Sequence, residues 1–185
     1  MRRGEYEVPI QNVERVVDLG ANIGMASLYF LWKYPDATVD AYEIDPDNVV
    51  YLTKNLQQFP HARVHSMGVA AQAGEFTLYQ RAEGGSSASS LIPEGDMRKG
   101  PLVKTQSLDT IIGERTIDIL KIDIEGSEFE VLQASKKLSQ VRVIIAELEA
   151  KKVGHTNQDI LDILMPTHMV SMRGPIMTAI RKDEI

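Results

Sequence analysis

Two groups of residues in this chain have types and spacings that could do chemistry. The first is Asp18, Gly20, Asn22 and Gly24 with Glu43 further on; the second is Asp123 and Glu125 just ahead of Gly126. Val16–Gly24 reads Val-Val-Asp-Leu-Gly-Ala-Asn-Ile-Gly: an apolar β-branched run ends in an acid, and a glycine turn follows. The amphipathic pattern of a helix then runs through Met25–Tyr34. A strand, a tight turn and a helix in that order present backbone N–H groups to a nucleotide-like ligand. Ala41-Tyr42-Glu43 closes a second strand with a carboxylate, which suits the two hydroxyls of a ribose. A bound nucleoside is the first inference.

The glycine spacing narrows which nucleoside. A dinucleotide fingerprint is G-x-G-x-x-G, whose middle glycine lets the backbone approach a pyrophosphate. Here Gly20 and Gly24 are four apart, Asn22 sits between them and no third glycine completes the pattern. Asp18 would also repel a diphosphate, whereas a carboxylate there helps to attract a cationic ligand. S-adenosylmethionine carries a sulfonium and an ammonium group and no phosphate. The same segment also fits an ordinary strand–turn–helix of a doubly wound fold, a reading that Glu43 weakens.

Asp123 and Glu125 are two apart past an apolar run, and in extended backbone such residues share a face. Both carboxylates would look into one cleft before Gly126 turns the chain into a helix. Glu128 reads as a first-turn charge that complements the helix dipole. A carboxylate is a weak base near neutral pH unless burial raises its pKa. Asp123 or Glu125 is the expected general base, with His65 and His155 as outside candidates. Together with Glu147 or Glu149 the pair could also offer Mg²⁺ several oxygens. Carboxylates that bind ligand amines or helix N-termini are the simpler reading, and no metal site is expected.

The elements that must position these groups alternate, predicting an α/β fold with a mostly parallel sheet and helices on both faces. Strands are expected at Arg15–Leu19, Thr38–Glu43, Arg63–Ser66, Ile117–Ile122 and Val141–Leu148. Helices are expected over Asn22–Lys33, Pro46–Gln57, Ser127–Lys137 and Asn157–Leu164, with a short one from Ser107 that Gly113 ends. Gly74–Tyr79 and Val103–Gln106 read as further strands, and a last pair spans Met169–Met172 and Ile176–Ile180. Residues 81–101 read as a Gly/Ser-rich flexible loop, either a plain connection or a mobile lid. In such sheets ligands bind at the carboxyl ends of strands, where Asp18, Glu43, Asp123, Glu125, Glu147 and Glu149 all fall.

The chain of 185 residues reads as one domain, with residues 1–14 a short N-terminal extension, and as a minimal fold or a fragment of something longer. Its net charge of −6 and lack of any Lys/Arg cluster beyond scattered pairs argue against nucleic acid as a substrate. There is no Cys, so disulfides and thiolate metal sites are excluded. No apolar run approaches a membrane span and no leader precedes the first strand, so the cytoplasm is the expected compartment. So little N-terminal cover is compatible with a homodimer that buries surface beside the cleft.

Val17–Gly24 together with Leu120-Lys121-Ile122-Asp123-Ile124-Glu125-Gly126-Ser127-Glu128 resembles the FkbM-type methyltransferases. Ser107-Leu108-Asp109 and the acidic end at Ala146-Glu147-Leu148-Glu149 are similar to that family too. The resemblance covers about Val16 to Glu149. It implies a class I methyltransferase fold, a doubly wound, Rossmann-like seven-stranded mixed sheet with an antiparallel last strand. It implies S-adenosylmethionine as cofactor, S-adenosylhomocysteine as product, and O-methylation of a small molecule or carbohydrate.

Carried over to matching positions, Gly20, Ala21 and Gly24, with Asn22 between them, would let the loop approach the methionine part. Asp18 would orient the amino group, Glu43 would hold the ribose and Ile44 would pack on the adenine. Met67, Gly68 and Val69 would line the adenine pocket, and Asp123 would stand where donor meets acceptor. Two other readings stay open. A nicotinamide-dependent oxidoreductase is opposed by Asn22 and the missing third glycine; a cofactor-binding module without activity is opposed by the intact Asp123–Glu125 pair.

Overall fold

A computed structural model describes residues 6–80, 89–93, 95–148 and 154–185. Its central strands are apolar on both faces, as a sheet covered by helices on both sides requires. They are β1 (Arg15–Leu19), β2 (Thr38–Glu43), β8 (Ile117–Ile122) and β9 (Val141–Glu147). All six residues of β8 are buried. Around them run α1 (Met25–Lys33), α2 (Pro46–Leu56), β3 (Ala62–Ser66), α3 (Leu108–Ile112), α4 (Glu128–Ala134) and α5 (Asn157–Leu164). The hairpin β10 (His168–Arg173) and β11 (Ile176–Arg181) completes a sheet in the order β10-β11-β9-β8-β1-β2-β3. Pairing is parallel from β9 through β3, and β11 alone runs against its neighbours β9 and β10. The seven-stranded mixed sheet with an antiparallel last strand is therefore present.

The register explains the two cores. Val16, Ile119 and Val143 lie side by side across three strands and face α1 and α2, where Phe30, Leu31, Leu52 and Leu56 meet them. Their neighbours Val17, Leu120 and Ile144 face the other way, onto Ile112, Leu132 and Leu164. Each such side chain contributes about 1.5–3 kcal/mol by leaving water, so the strand ends are anchored from both faces.

A second sheet was only half legible in the sequence. Four strands pair in the order β4-β7-β5-β6: β4 (Gly68–Ala70), β5 (Gly74–Gln80), β6 (Ser89–Ser90) and β7 (Arg98–Ser107). Residues 81–88 and 94 of the expected loop lie outside the described residues, and so does Glu149. At 89–90 and 98–101 that expectation is corrected, because Ser89–Ser90 pairs with Tyr79–Gln80 and β7 already begins at Arg98. Two helices also differ from expectation. The first starts at Met25, because Asn22 (φ 51°) and Gly24 (φ 93°) take left-handed backbone that no helix continues. The fourth stops at Ala134, because the Asp109 carboxylate captures the Ser135 hydroxyl and the N–H groups of Lys136 and Lys137. Among the described residues no helix is long and apolar enough to cross a membrane.

Candidate functional site

At the carboxyl ends of β1, β2 and β8 lies an open cleft of about 620 Å³, the solvent at its mouth included. The sheet ends on this side in loops, whereas the opposite edge is clasped by ions: Asp118 accepts from the backbone of Glu14 and Arg15 and pairs with Arg142 at 2.9 Å. Gly20 and Asn22 form one wall. The Gly20 and Ala21 N–H groups donate to the Tyr42 carbonyl at 3.0 and 2.9 Å, tying the turn to the end of β2. Gly20 has φ +74°, and a Cβ there would stand 1.7 Å from the Asp123 carbonyl oxygen, so the turn needs glycine twice over.

Glu43 sits at one end of the cleft, only 6% exposed. Its Oε2 accepts from the Asn22 N–H at 2.7 Å and its Oε1 from the Asp45 N–H at 2.8 Å. Burial raises this carboxyl above its usual value, and those two N–H groups with the Asn48 side chain oppose the rise. The neighbouring wall is apolar: Ile44, Met67, Gly68 and Val69 line it, with Ile44 filling the space a Cβ on Gly68 would need.

Asp123, Ile124 and Glu125 form the other end. Glu125 is left-handed (φ 55°) and Gly126 follows at φ 102°, a turn that a non-glycine residue resists. Glu128 supplies the restraint. It is fully buried, and its Oε1 accepts from the N–H groups of Ile124 and Gly126, each at 3.1 Å. The expected helix-dipole charge is thus also the clasp of the acidic loop. Glu128→Ala leaves two N–H groups without that acceptor and should lower unfolding stability by about 1–3 kcal/mol, read by urea titration.

The cleft is bridged by a strap that sequence reasoning missed. Ser89 Oγ and Gln80 Nε2 donate to Asp45 Oδ2 at 2.5 and 3.0 Å, and Ser90 Oγ donates to the Glu125 carbonyl at 2.9 Å. Ser89, Ser90 and Leu91 line the cleft, as do Tyr42 and Asn48. A Gly/Ser-rich stretch carries no apolar pattern, so only its hydroxyls hinted at this role.

Of the expected residues, Gly20, Asn22, Glu43, Ile44, Met67, Gly68, Val69, Asp123 and Glu125 come together here. Gly24 and Ala21 support the turn from behind, the Gly24 N–H donating to the Ala21 carbonyl at 2.8 Å. Asp18 does not reach the cleft. It is fully buried, accepts from Ser27 Oγ at 2.6 Å and pairs with Lys121 Nζ at 3.1 Å. His65 is bound to Asp40 at 3.0 Å and stacked on Tyr42, and His155 is stacked on Phe129; neither lines the cleft. Among the described residues no three acidic or histidine side chains converge as metal ligands.

On the far side of Asp123 lies a smaller, shallow hollow, lined by Tyr6, Lys121, Ile122, Ile145, Glu147 and Ile176 as well. Asp123 is the one residue on the walls of both spaces.

Comparison with known proteins bears on the family and the fold. Methyltransferase sdnD from Sordaria araneosa is 30% identical over 64% of this chain and 59% of its own length. Hexuronic acid methyltransferase AglP from Haloferax volcanii is 28% identical over 72% of this chain and 55% of its own length. The chain therefore spans between half and two thirds of each. The methyltransferase FkbM structure from Methylobacillus flagellatus superposes with a TM-score of 0.63 at 20% identity, covering 91% of this chain and 43% of that one. The fold is that of class I methyltransferases. The family model of the methyltransferase FkbM domain matches residues 18–171, and the chain belongs to that family.

Proposed function

We propose that this domain binds S-adenosylmethionine in the large cleft and methylates a hydroxyl of a small molecule or carbohydrate presented from the smaller hollow. The observation that carries the reading is the cleft's polarity: a buried carboxylate at one end, an apolar slot beside it, and an acidic pair at the other. The residues suit such a guest. Glu43 accepts ribose hydroxyls on the lone pairs that the Asn22 and Asp45 N–H groups leave. Ile44, Met67, Gly68 and Val69 enclose a flat base. Among the described residues that line the cleft, none offers the cationic side chain that a pyrophosphate would want. When bound, S-adenosylmethionine supplies a methyl group on a positively charged sulfur.

The chain's own residues supply placement and a proton acceptor. Displacement at a methyl carbon is in line, so alignment provides much of the acceleration. Asp123, whose side chain is 36% exposed, faces both spaces and takes the acceptor hydroxyl's proton as the oxygen attacks. Glu125 adds negative charge beside the cationic donor. The carbohydrate preference draws on AglP, a hexuronic acid methyltransferase, and on the carboxylate and phenol of Glu147 and Tyr6 in the hollow.

Calorimetry with S-adenosylhomocysteine and with NAD tests the reading. Binding of the first and none of the second is expected; the reverse would replace the reading with a dehydrogenase. Glu43→Gln should weaken S-adenosylhomocysteine by about tenfold or more, since a charged acceptor makes the stronger hydrogen bond. The wild-type affinity should also fall on acidification, starting at higher pH than an ordinary glutamate would dictate. The raised pKa means that the carboxylate is protonated sooner as pH drops. Glu43→Gln should abolish that limb.

A further inference from the structure

Lys121 belongs to neither pair of site acids, yet it touches both halves of the machinery. It is 5% exposed on β8, and its ammonium donates to the Gly20 carbonyl at 2.7 Å. The same nitrogen lies 3.1 Å from Asp18 Oδ1 and 3.7 Å from Asp123 Oδ2. One buried cation thus joins the floor of the glycine turn to the carboxylate at the meeting point of the two cavities. We propose that Lys121 is a positioning residue, which locks the turn to β8 through Asp18 and the Gly20 carbonyl and fixes the Asp123 carboxylate between donor and acceptor.

Three observations support this. First, a lysine on a fully buried strand needs compensation, because a buried ammonium without partners is far less stable than a neutral one. Burial by itself would lower its pKa; Asp18 first and Asp123 next outweigh that and raise it, so the cation persists. Second, Asp18 is neutralised within the fold. The sequence suggested that its charge would meet the ligand's ammonium, but the partner is internal, and Asp18 acts on the site only through Lys121. Third, the Asp123 N–H donates to the Leu19 carbonyl at 3.0 Å, so the backbone beneath Asp123 is tied to the same turn. With its backbone fixed, the remaining freedom of Asp123 is side-chain rotation, which a cation 3.7 Å away restrains.

The inference rests on Asp123 as the proton acceptor, so the test separates the two. Removing Lys121 alone leaves Asp18 buried and unpaired, and Lys121→Met is expected to unfold in part. The informative comparison is Asp18→Asn against the double variant Asp18→Asn/Lys121→Met, in which no buried charge is stranded. The ¹³C resonance of the Asp123 carboxyl, assigned by its loss in Asp123→Asn, is titrated in each. Among the described residues, the other charged or titratable groups that line the spaces on either side of Asp123 are Tyr6 and Glu147 in the hollow and Tyr42, Glu125 and Glu43 in the cleft. All of these are the same in both proteins.

Loss of Lys121 should raise the Asp123 midpoint by about half a unit or more, since a nearby opposite charge lowers a carboxyl pKa. The acid limb of kcat should move up by the same amount, and plateau turnover should fall by about tenfold or more through misplacement of the base. A lysine that merely fills space would move neither the resonance nor the limb. An Asp123 midpoint unchanged between the two folded proteins overturns the inference. If instead Asp123→Asn keeps full turnover, the assignment of the base fails, while the resonance still reports whether Lys121 holds that carboxylate.

Discussion

Asp123→Asn is expected to lower kcat by about 10²–10⁴-fold, the range spanned by loss of a positioned general base. The amide keeps the size of the carboxylate and removes its capacity to accept a proton. Donor affinity should hardly change, because Glu43 and the apolar slot sit at the other end of the cleft. A shift of less than about threefold in the dissociation constant of S-adenosylhomocysteine is the corresponding expectation, which is under 1 kcal/mol. Single-turnover transfer of a labelled methyl group, with calorimetry on the same preparation, measures both. Wild-type turnover in this variant would move the chemistry elsewhere. Glu125 is then the next residue to replace, since it lies on the same loop and lines the same cleft.

Gly20→Ala should act in the opposite way, destroying binding rather than chemistry. The added methyl would stand 1.7 Å from the Asp123 carbonyl oxygen and 2.8 Å from its carbon, both backbone atoms of a strand end held by neighbours on either side. The backbone angle of φ +74° adds about 1–2 kcal/mol of strain for any L side chain. The turn and β8 must separate, which breaks the Asp123 N–H to Leu19 carbonyl bond and shifts the Gly20 carbonyl off Lys121. Loss of S-adenosylhomocysteine affinity by about 100-fold or more and a fall of several degrees in melting temperature are expected. Gly24→Ala is the comparator. It shares the left-handed backbone, but its nearest obstacle is the tip of the Leu52 side chain at 2.7 Å and not a backbone atom. If Gly20→Ala binds as well as Gly24→Ala does, the close approach of turn and strand is not what shapes the cleft.

Much of this was legible in the residues. The bounds of β1, β2 and β8 follow from β-branched runs that end in an acid, and the start of α2 from Pro46 after the capping Asp45. Glu43 was readable as the acid that closes β2, whereas Ile44 and Met67–Val69 came from the family resemblance and not from any local pattern. What escaped was non-local. Nothing near Lys121 in sequence says that its partner lies at Asp18, and an isolated lysine in an apolar strand has no periodic signature. Asp109 looked like part of a motif and is a helix stop, because its acceptors meet Ser135–Lys137 only after the chain has crossed β8. The second sheet was half visible for a related reason: β6 is two residues long and has no pattern to read.

That short strand has a thermodynamic corollary. Ser89 grips the residue two places beyond Glu43, and Ser90, its immediate neighbour, grips the carbonyl two places beyond Asp123. Adjacent residues cannot be displaced independently, so a guest that settles at one end of the cleft biases the backbone at the other. Such communication is reciprocal by necessity: if a bound nucleoside improves the grip on the second substrate, the second substrate improves the grip on the nucleoside by the same factor. Two serine hydroxyls thereby make each guest's affinity a property of the whole rim.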